Sequence, residues 1–410
     1  MMNLNKEYII SAYAISPFKG SEPGLGWNFI MEMSKYNITL HVIAEKNEFE
    51  NDIFKMKDEI PGNVFFYFVP RKFSEKKFKI FGRAYYYYSY RNWQKKAYLE
   101  AKKITNIRKI NAVHQLNMIG YREPGYLWKL KLPFIYGPFG GMQNAPLSLV
   151  LSHSIFGIYT LLTRSIINKM QFRFSKRPLK AAKKAFRSNS LYTNPFLINQ
   201  IYKTWSLKPI PIFEQGVRFS KNEELEKIIK PSYNNFTIVW VGTLTYNKSL
   251  NILLEAVKDF KQININIVGD GPCMKYYKRI AVEKNVKCNI IWHGWLERSE
   301  TLKLIKSSHV MAFTSLKEGI PTVIFEALHN ETPVITLNHH GQGYIVNKSC
   351  GILIDIQSFD KTVESFRTSI IKLSNNEEFY NKLKNGTQDR VKEFKWHDIV
   401  KKVKLIYDQF

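Results

Sequence analysis

Short apolar runs recur from one end of this chain to the other, and a helical pattern follows most of them. In the first half the runs are Tyr8 to Ala14, Thr39 to Ala44, Val64 to Val69, Ala112 to Asn117, Pro133 to Tyr136 and Ser190 to Asn194. In the second half they are Phe236 to Val241, Ile265 to Val268, Ile290 to His293, Val310 to Phe313, Val334 to Thr336 and Gly351 to Asp355. Strand alternating with helix selects an α/β architecture with parallel sheets, because each crossover between parallel strands needs a helix to cover the sheet. The alternation is interrupted once, by the polar stretch 218–235 with Pro231 and the pair Asn234 and Asn235. At 410 residues the chain is long enough for two domains, each with its own core. The expected division is a domain over 1–217, a linker over 218–235, a domain over 236–394 and a terminal helix over 395–410.

The stretch richest in chemical meaning is Ser315 to Thr336, SLKEGIPTVIFEALHNETPVIT, with Glu318 and Glu326 eight positions apart. Pro321 suits the first turn of a helix, where its missing N–H has no intrahelical partner to lose. A helix from Pro321 through Leu328 would be stopped by Pro333, with a buried strand on each side. Strand, loop, helix and strand in that order aim the helix N-terminus out of the carboxyl edge of a parallel sheet, where unpaired N–H groups bind a diphosphate. Gly319, Thr322 and Val323 would line that start. An exposed Glu at a helix start and a solvated Glu on a helix face satisfy the same spacing, so other parts of the chain must decide.

The net charge is +27, and residues 61–213 hold twenty-seven Lys and Arg against three Glu and no Asp, or +24 of it. A nucleic-acid surface, an anionic-membrane surface and a merely solvated face are all open readings. The run Lys169 to Lys180 mixes aromatics with cations, as interfacial segments do. With no helix-turn-helix, RNA-binding or zinc-finger signature, the membrane reading is preferred and no nucleic-acid partner is expected. Tyrosines between Ala84 and Arg91 could stack on sugars, sit at a lipid interface or pack into the core. Residues 142–163 carry no charge but hold too many polar groups for a membrane span, and read as helical. Cys273, Cys288 and Cys350 have no paired spacing, and the start of the chain lacks a signal peptide's basic and apolar regions. Both observations suit a cytoplasmic protein, here peripheral on the inner face of the plasma membrane.

Further motifs flank the paired glutamates. Lys19-Gly20-Ser21-Glu22-Pro23-Gly24-Leu25-Gly26-Trp27 follows the first run, and it is not the G-x-G-x-x-G of dinucleotide sites. His114 lies in the run that ends at Asn117; a helix is expected after Arg122 to Tyr126, and Gly137 to Gly141 follows the next run. In the second half come Gly242-Thr243 with Lys248, then Gly269-Asp270-Gly271, then Gly294-Trp295-Leu296. Together with E-G-I-P-T-V-I-F-E, this series resembles the retaining, nucleotide-sugar-dependent glycosyltransferases of family 4. The resemblance covers nearly the whole chain, most specifically its second half.

That resemblance implies a GT-B fold, two Rossmann-like domains facing each other across a cleft, with the terminal helix packed back on the first. It implies a nucleotide diphosphate-sugar donor and a saccharide or lipid-linked saccharide acceptor in surface polysaccharide biosynthesis. Lys248 would neutralise the leaving diphosphate, Glu318 would contact the transferred sugar and Glu326 would accept hydrogen bonds from the ribose. Gly242, Thr243, Gly269, Gly294, Trp295 and Leu296 would complete the donor site, and Gly20, Ser21, Glu22, Gly24, Gly140 and Gly141 would close it from the other domain. Two departures stand out. Thr243 occupies the place of an Arg, and the loop Gly137 to Gly141 replaces a His that contacts the sugar, so His114 becomes the substitute candidate. No D-x-D occurs, so no metal and no cofactor is expected. A sugar-nucleotide epimerase of the same fold and a basic nucleic-acid-binding protein are the alternatives.

Overall fold

The computed structural model of the chain describes residues 6–217 and 228–410. Most of the expected linker, residues 218–227, lies outside the described residues. The chain divides into two compact units. One comprises residues 1–142, 169–216 and 395–410, the other residues 143–168 and 217–394.

The first unit contains β1 (Lys6–Ala12), α1 (Ser21–Met33), β2 (Ile38–Glu45), α2 (Lys46–Phe54), β3 (Val64–Val69), α3 (Glu75–Ile107), β4 (Ile110–Asn117) and β5 (Phe134–Tyr136). These strands form a wholly parallel sheet in the order β3-β2-β1-β4-β5. The middle strands are buried on both faces, which is why β1 and β2 read as near-continuous apolar runs rather than alternating ones. The helix expected after Arg122 to Tyr126 does not form. Gly125 adopts a left-handed φ of +65°, and only a short 3-10 turn at Leu127–Lys129 follows. Within α3, Gly82 breaks the helix at φ +52° and ψ −132°. Beyond that break the tyrosine-rich segment has two faces: Tyr90 and Trp93 are buried against Tyr13, whereas Tyr88 is exposed.

Next come α4 (Leu147–Val150) and α5 (Ile155–Phe174), and the division between the units falls inside α5. Residues 143–168 therefore belong to the second unit, contrary to the expected unbroken 1–217 domain. The physical reason is a short apolar face: Leu149, Val150 and Leu161 are part of the second unit's core. The first unit resumes with α6 (Lys176–Arg187), β6 (Tyr192–Thr193), α7 (Ile198–Trp205) and β7 (Ile210–Pro211).

The second unit continues with β8 (Thr237–Val241), α8 (Leu250–Ala256), β9 (Asn264–Val268), α9 (Met274–Glu283), β10 (Asn289–Gly294), α10 (Arg298–Lys306), β11 (Val310–Phe313), α11 (Thr322–His329), β12 (Val334–Leu337), α12 (His340–Ile345) and β13 (Gly351–Ile354). Its sheet is also wholly parallel, in the order β10-β9-β8-β11-β12-β13. The strand order reverses between β8 and β11, and such a switch point opens a crevice at the carboxyl ends of the strands. α13 (Phe359–Asn375) and α14 (Glu377–Lys392) follow.

The last helix, α15 (Trp396–Tyr407), lies in the first unit against α1. Tyr8 Oη donates to the Tyr407 carbonyl at 2.9 Å, which ties the helix to the central strand of the sheet.

Candidate active site

The carboxyl edge of the second sheet collects the groups that chemistry requires. β8 ends at Val241, and Gly242 and Thr243 lead into a 3-10 turn at Tyr246–Lys248. β11 ends at Phe313 and leads through Ser315 to Glu318. Because β8 and β11 are adjacent, the two loops leave the sheet side by side and are sewn together. Leu316 N–H donates to Asn247 O at 2.8 Å, Asn247 Nδ2 to Lys317 O at 2.9 Å and Thr314 Oγ1 to Lys248 O at 2.7 Å. The result is an ion pair, Lys248 Nζ to Glu318 Oε1 at 2.7 Å. Ser315 Oγ donates to the same oxygen at 2.6 Å. Both side chains keep about a fifth of their surface in solvent, 21% and 20%, so the pair is open to a ligand.

α11 begins beside this pair. The helix starts at Thr322 and Pro321 is its N-cap, one position before the first-turn place the sequence suggested. Among the described residues no side chain caps the helix, which leaves the amides at Thr322 and Val323 to a ligand. Gly319 is held from behind by Gly341 in α12, where a Cβ would stand 1.7 Å from the Gly319 carbonyl oxygen.

Three further loops stack along the edge toward β10. Gly242 N–H donates to Val268 O at 3.0 Å and Gly269 N–H to Gly294 O at 2.7 Å. Gly269 has φ +128°, and a Cβ there would meet the Gly242 oxygen at 2.1 Å, so only glycine allows this approach. Past Gly294 the Trp295 ring is 70% exposed. Glu326, on the second turn of α11, reaches Arg298 at the start of α10, with both Nε and Nη2 2.9 Å from Oε1. Burial pushes the Glu326 carboxyl above its ordinary pKa, and the Arg298 charge opposes that rise.

Four parts of the site were not anticipated from sequence. Arg298, Ser315 and Gly341 are three of them. The fourth is residues 153–157, which brace the Lys248 loop. His153 Nε2 lies 2.9 Å from Ser249 Oγ, and Gly157 passes so close to the Tyr246 ring that a Cβ would stand 2.8 Å away. Burial lowers the His153 pKa to about 4 and keeps it neutral. The exposed Thr243 makes no hydrogen bond to the described residues.

In the first unit, Gly20 is the N-cap of α1 and Ser21 follows at φ +55°. The Glu22 carboxylate accepts the Ile119 N–H at 3.0 Å, and burial raises its pKa while that bond opposes the rise. Gly24 passes over the Lys19 carbonyl, Gly140 N–H donates to Ile119 O at 2.9 Å and Gly141 has φ +85°. The Gly20–Gly24 and Gly140–Gly141 loops thus meet through Ile119 at the carboxyl edge of the first sheet.

His114 is a correction. It is fully buried in β4, with Nδ1 2.7 Å from Tyr407 Oη, and Nε2 2.7 Å from Gly137 O and 3.1 Å from Tyr192 Oη. Burial depresses its pKa to about 3. Both nitrogens are engaged in the interior, so His114 is a neutral core residue and does not take the place of the absent sugar-contacting His.

Residues 221–390 match the sequence profile of the Glycosyl transferases group 1 family. Over 228 residues the chain is 28% identical to the Escherichia coli enzyme UDP-Gal:alpha-D-GlcNAc-diphosphoundecaprenol alpha-1,3-galactosyltransferase, covering 54% of this chain and 55% of that one. The chain spans about half the length of the curated relatives it matches. Among solved structures, a glycosyltransferase from Rickettsia africae ESF-5 superposes with a TM-score of 0.62 at 15% identity, over 99% of each chain. Anabaena HepE in complex with UDP gives 0.61 at 14% identity, over 99% of this chain and 100% of that one. At such identities the likeness shows the fold, which is that of the GT-B glycosyltransferases.

Proposed function

We propose that this chain is a retaining glycosyltransferase of family 4, moving a sugar from a nucleotide diphosphate-sugar to a saccharide or lipid-linked saccharide in surface polysaccharide biosynthesis. The observation that carries this reading is the Lys248–Glu318 pair beside the uncapped start of α11, at the strand switch of the second sheet. Breaking a glycosidic bond to a diphosphate leaves negative charge on the departing oxygens and positive charge on the sugar. A fixed ammonium and helix amides stabilise the first, and a carboxylate beside them suits the second. In this mechanism Lys248 and the amides of Thr322 and Val323 hold the diphosphate without a metal. Glu318 releases Lys248 to it and turns to the sugar, Glu326 takes the ribose hydroxyls, and Trp295 with Gly294 and Leu296 passes the base. The E. coli relative's named acceptor, a diphosphoundecaprenol-linked sugar, supports a lipid-linked acceptor here.

The test is a thermal-shift panel of nucleoside diphosphates and their sugars. A nucleotide at a hundred times its Kd stabilises the protein by about 2.7 kcal/mol, and the one that does so identifies the base. A panel in which none shifts the transition refutes the reading. Donor consumption that depends on added acceptor then separates a transferase from an epimerase.

Peripheral binding to an anionic membrane is part of the proposal. Before the break at Gly82, α3 exposes Phe78, Ile80 and Phe81 next to the exposed Lys76, Lys77 and Lys79. Aromatic and aliphatic side chains flanked by lysines suit the headgroup boundary of an anionic leaflet. Replacing all three apolar residues with Ser is expected to weaken binding to phosphatidylglycerol-containing vesicles by at least about tenfold, since burying even one such side chain contributes ~1.5 kcal/mol or more. Co-sedimentation with the vesicles measures it, and an unchanged bound fraction removes this surface from the proposal.

A further inference from the structure

Resting on the reading that Glu326 takes ribose hydroxyls, we propose that Arg298 is a positioning residue: it fixes the Glu326 carboxylate as an acceptor and thereby sets a preference for ribose over a sugar lacking the 2′ and 3′ hydroxyls. The contact is one-sided. Arg298 Nε and Nη2 both lie 2.9 Å from Oε1, while Oε2 takes no hydrogen bond among the described residues. One oxygen is therefore clamped and the other left for a ligand hydroxyl.

As a contributor to stability the pair is weak. The Arg298 side chain is 65% exposed, and ion pairs this open contribute little to stability. Its placement is more telling. Arg298 opens α10 three residues after the exposed Trp295, so it ties the β10 loop to the second turn of α11.

Glu326 needs such a partner. A protonated carboxyl loses acceptor capacity, and burial pushes this group toward protonation. Arg298 is the charged group that opposes the change. Charges on the elements packed against α11 are mostly engaged elsewhere: Lys306 of α10 and Lys384 of α14 with Glu331, and Arg390 of α14 with Glu393. Glu300 and Lys303 lie further along α10, His329 ends α11, and His340 of α12 is turned to the Asn144 carbonyl with its pKa lowered to about 3. If the ionised carboxylate is the ribose acceptor, affinity rises with pH through the Glu326 titration. Removing Arg298 moves that titration upward, so the loss in acid begins at a higher pH.

The experiment is calorimetric titration of the full chain and of Arg298→Gln, Arg298→Lys and Glu326→Gln with UDP, ADP, GDP and dTDP, and with the 2′,3′-dideoxy form of the tightest binder. Each is run at pH 6 and pH 8. Arg298→Gln is expected to weaken the ribonucleotide about tenfold, equivalent to ~1.4 kcal/mol, with the larger loss at the lower pH. Its ribose-to-dideoxy ratio at pH 6 falls toward one, and Arg298→Lys restores the ratio. Wild-type affinity, ratio and pH dependence in Arg298→Gln overturn the inference, as does an equal loss for both sugars at both pH values, which is the signature of structural support alone. In either case a lost ribose preference in Glu326→Gln leaves the function reading intact. A retained preference there withdraws Glu326 and Arg298 together, and a wild-type chain that binds no nucleotide refutes the proposed function itself.

Discussion

Lys248→Ala is expected to lower turnover at least tenfold while leaving the fold in place. A single fixed charge aimed at a developing anion commonly contributes ~2 kcal/mol or more to the transition state, and each 1.36 kcal/mol is a factor of ten. The stability effect is small by comparison, because the Lys248–Glu318 pair is partly solvated and such pairs contribute little. Steady-state turnover with saturating donor and acceptor measures the loss, and the melting temperature provides the control. The arrangement also implies non-additivity. With the ammonium gone, Glu318 keeps, among the described residues, only the Ser315 hydroxyl as an anchor. Lys248→Ala combined with Glu318→Gln should therefore cost less than the two single changes together, since groups in direct contact do not act independently. Unchanged turnover in Lys248→Ala removes the residue from the mechanism.

Gly341→Ala is expected to have the largest effect on stability. The new Cβ would lie 1.7 Å from the Gly319 carbonyl oxygen, 2.8 Å from its carbonyl carbon and 3.2 Å from Ile320 Cδ1. The first two are backbone, so no rotamer change relieves the clash; either α12 or the Glu318 loop must move. Forcing one methyl into a packed site costs about 1–3 kcal/mol, which lowers Tm by roughly 2–4 °C per kcal/mol in a unit of this size. Displacement of Gly319 carries Glu318 with it, so nucleotide affinity falls as well. Gly62→Ala is the matched control, since a Cβ there meets nothing within 4 Å. Equal melting temperatures for the two variants would show that α12 gives way without cost.

Much of this molecule was legible before any coordinates. Periodicity located the strands because parallel strands buried on both faces are short and mostly apolar, as β11 and β12 are. The spacing of Lys248, Glu318 and Glu326 pointed to one sheet edge because strand–loop–helix order leaves little choice of where loops emerge. What stayed hidden depended on distance along the chain. Arg298 is one surface cation among many until the fold brings it to Glu326. Residues 143–168 look like any uncharged helix until their partners, far on in the sequence, are known. His114 misled for a related reason: a histidine at a strand end looks available, and only Tyr407, nearly three hundred residues later, shows that it is enclosed.

The order of synthesis acquires a meaning from the way α15 returns to the first sheet. The Tyr407 hydroxyl reaches His114, and its carbonyl accepts from Tyr8 on the central strand, so the first sheet stays unfinished until α15, which lies nearly three hundred residues after β4, has been translated. The converse holds for the other core, which includes Leu149, Val150 and Leu161 from a segment made long before the rest of it. No single cut in the gene therefore yields two self-sufficient pieces. A nascent chain must keep apolar surface from both cores waiting for partners, which is the interval when aggregation competes with folding.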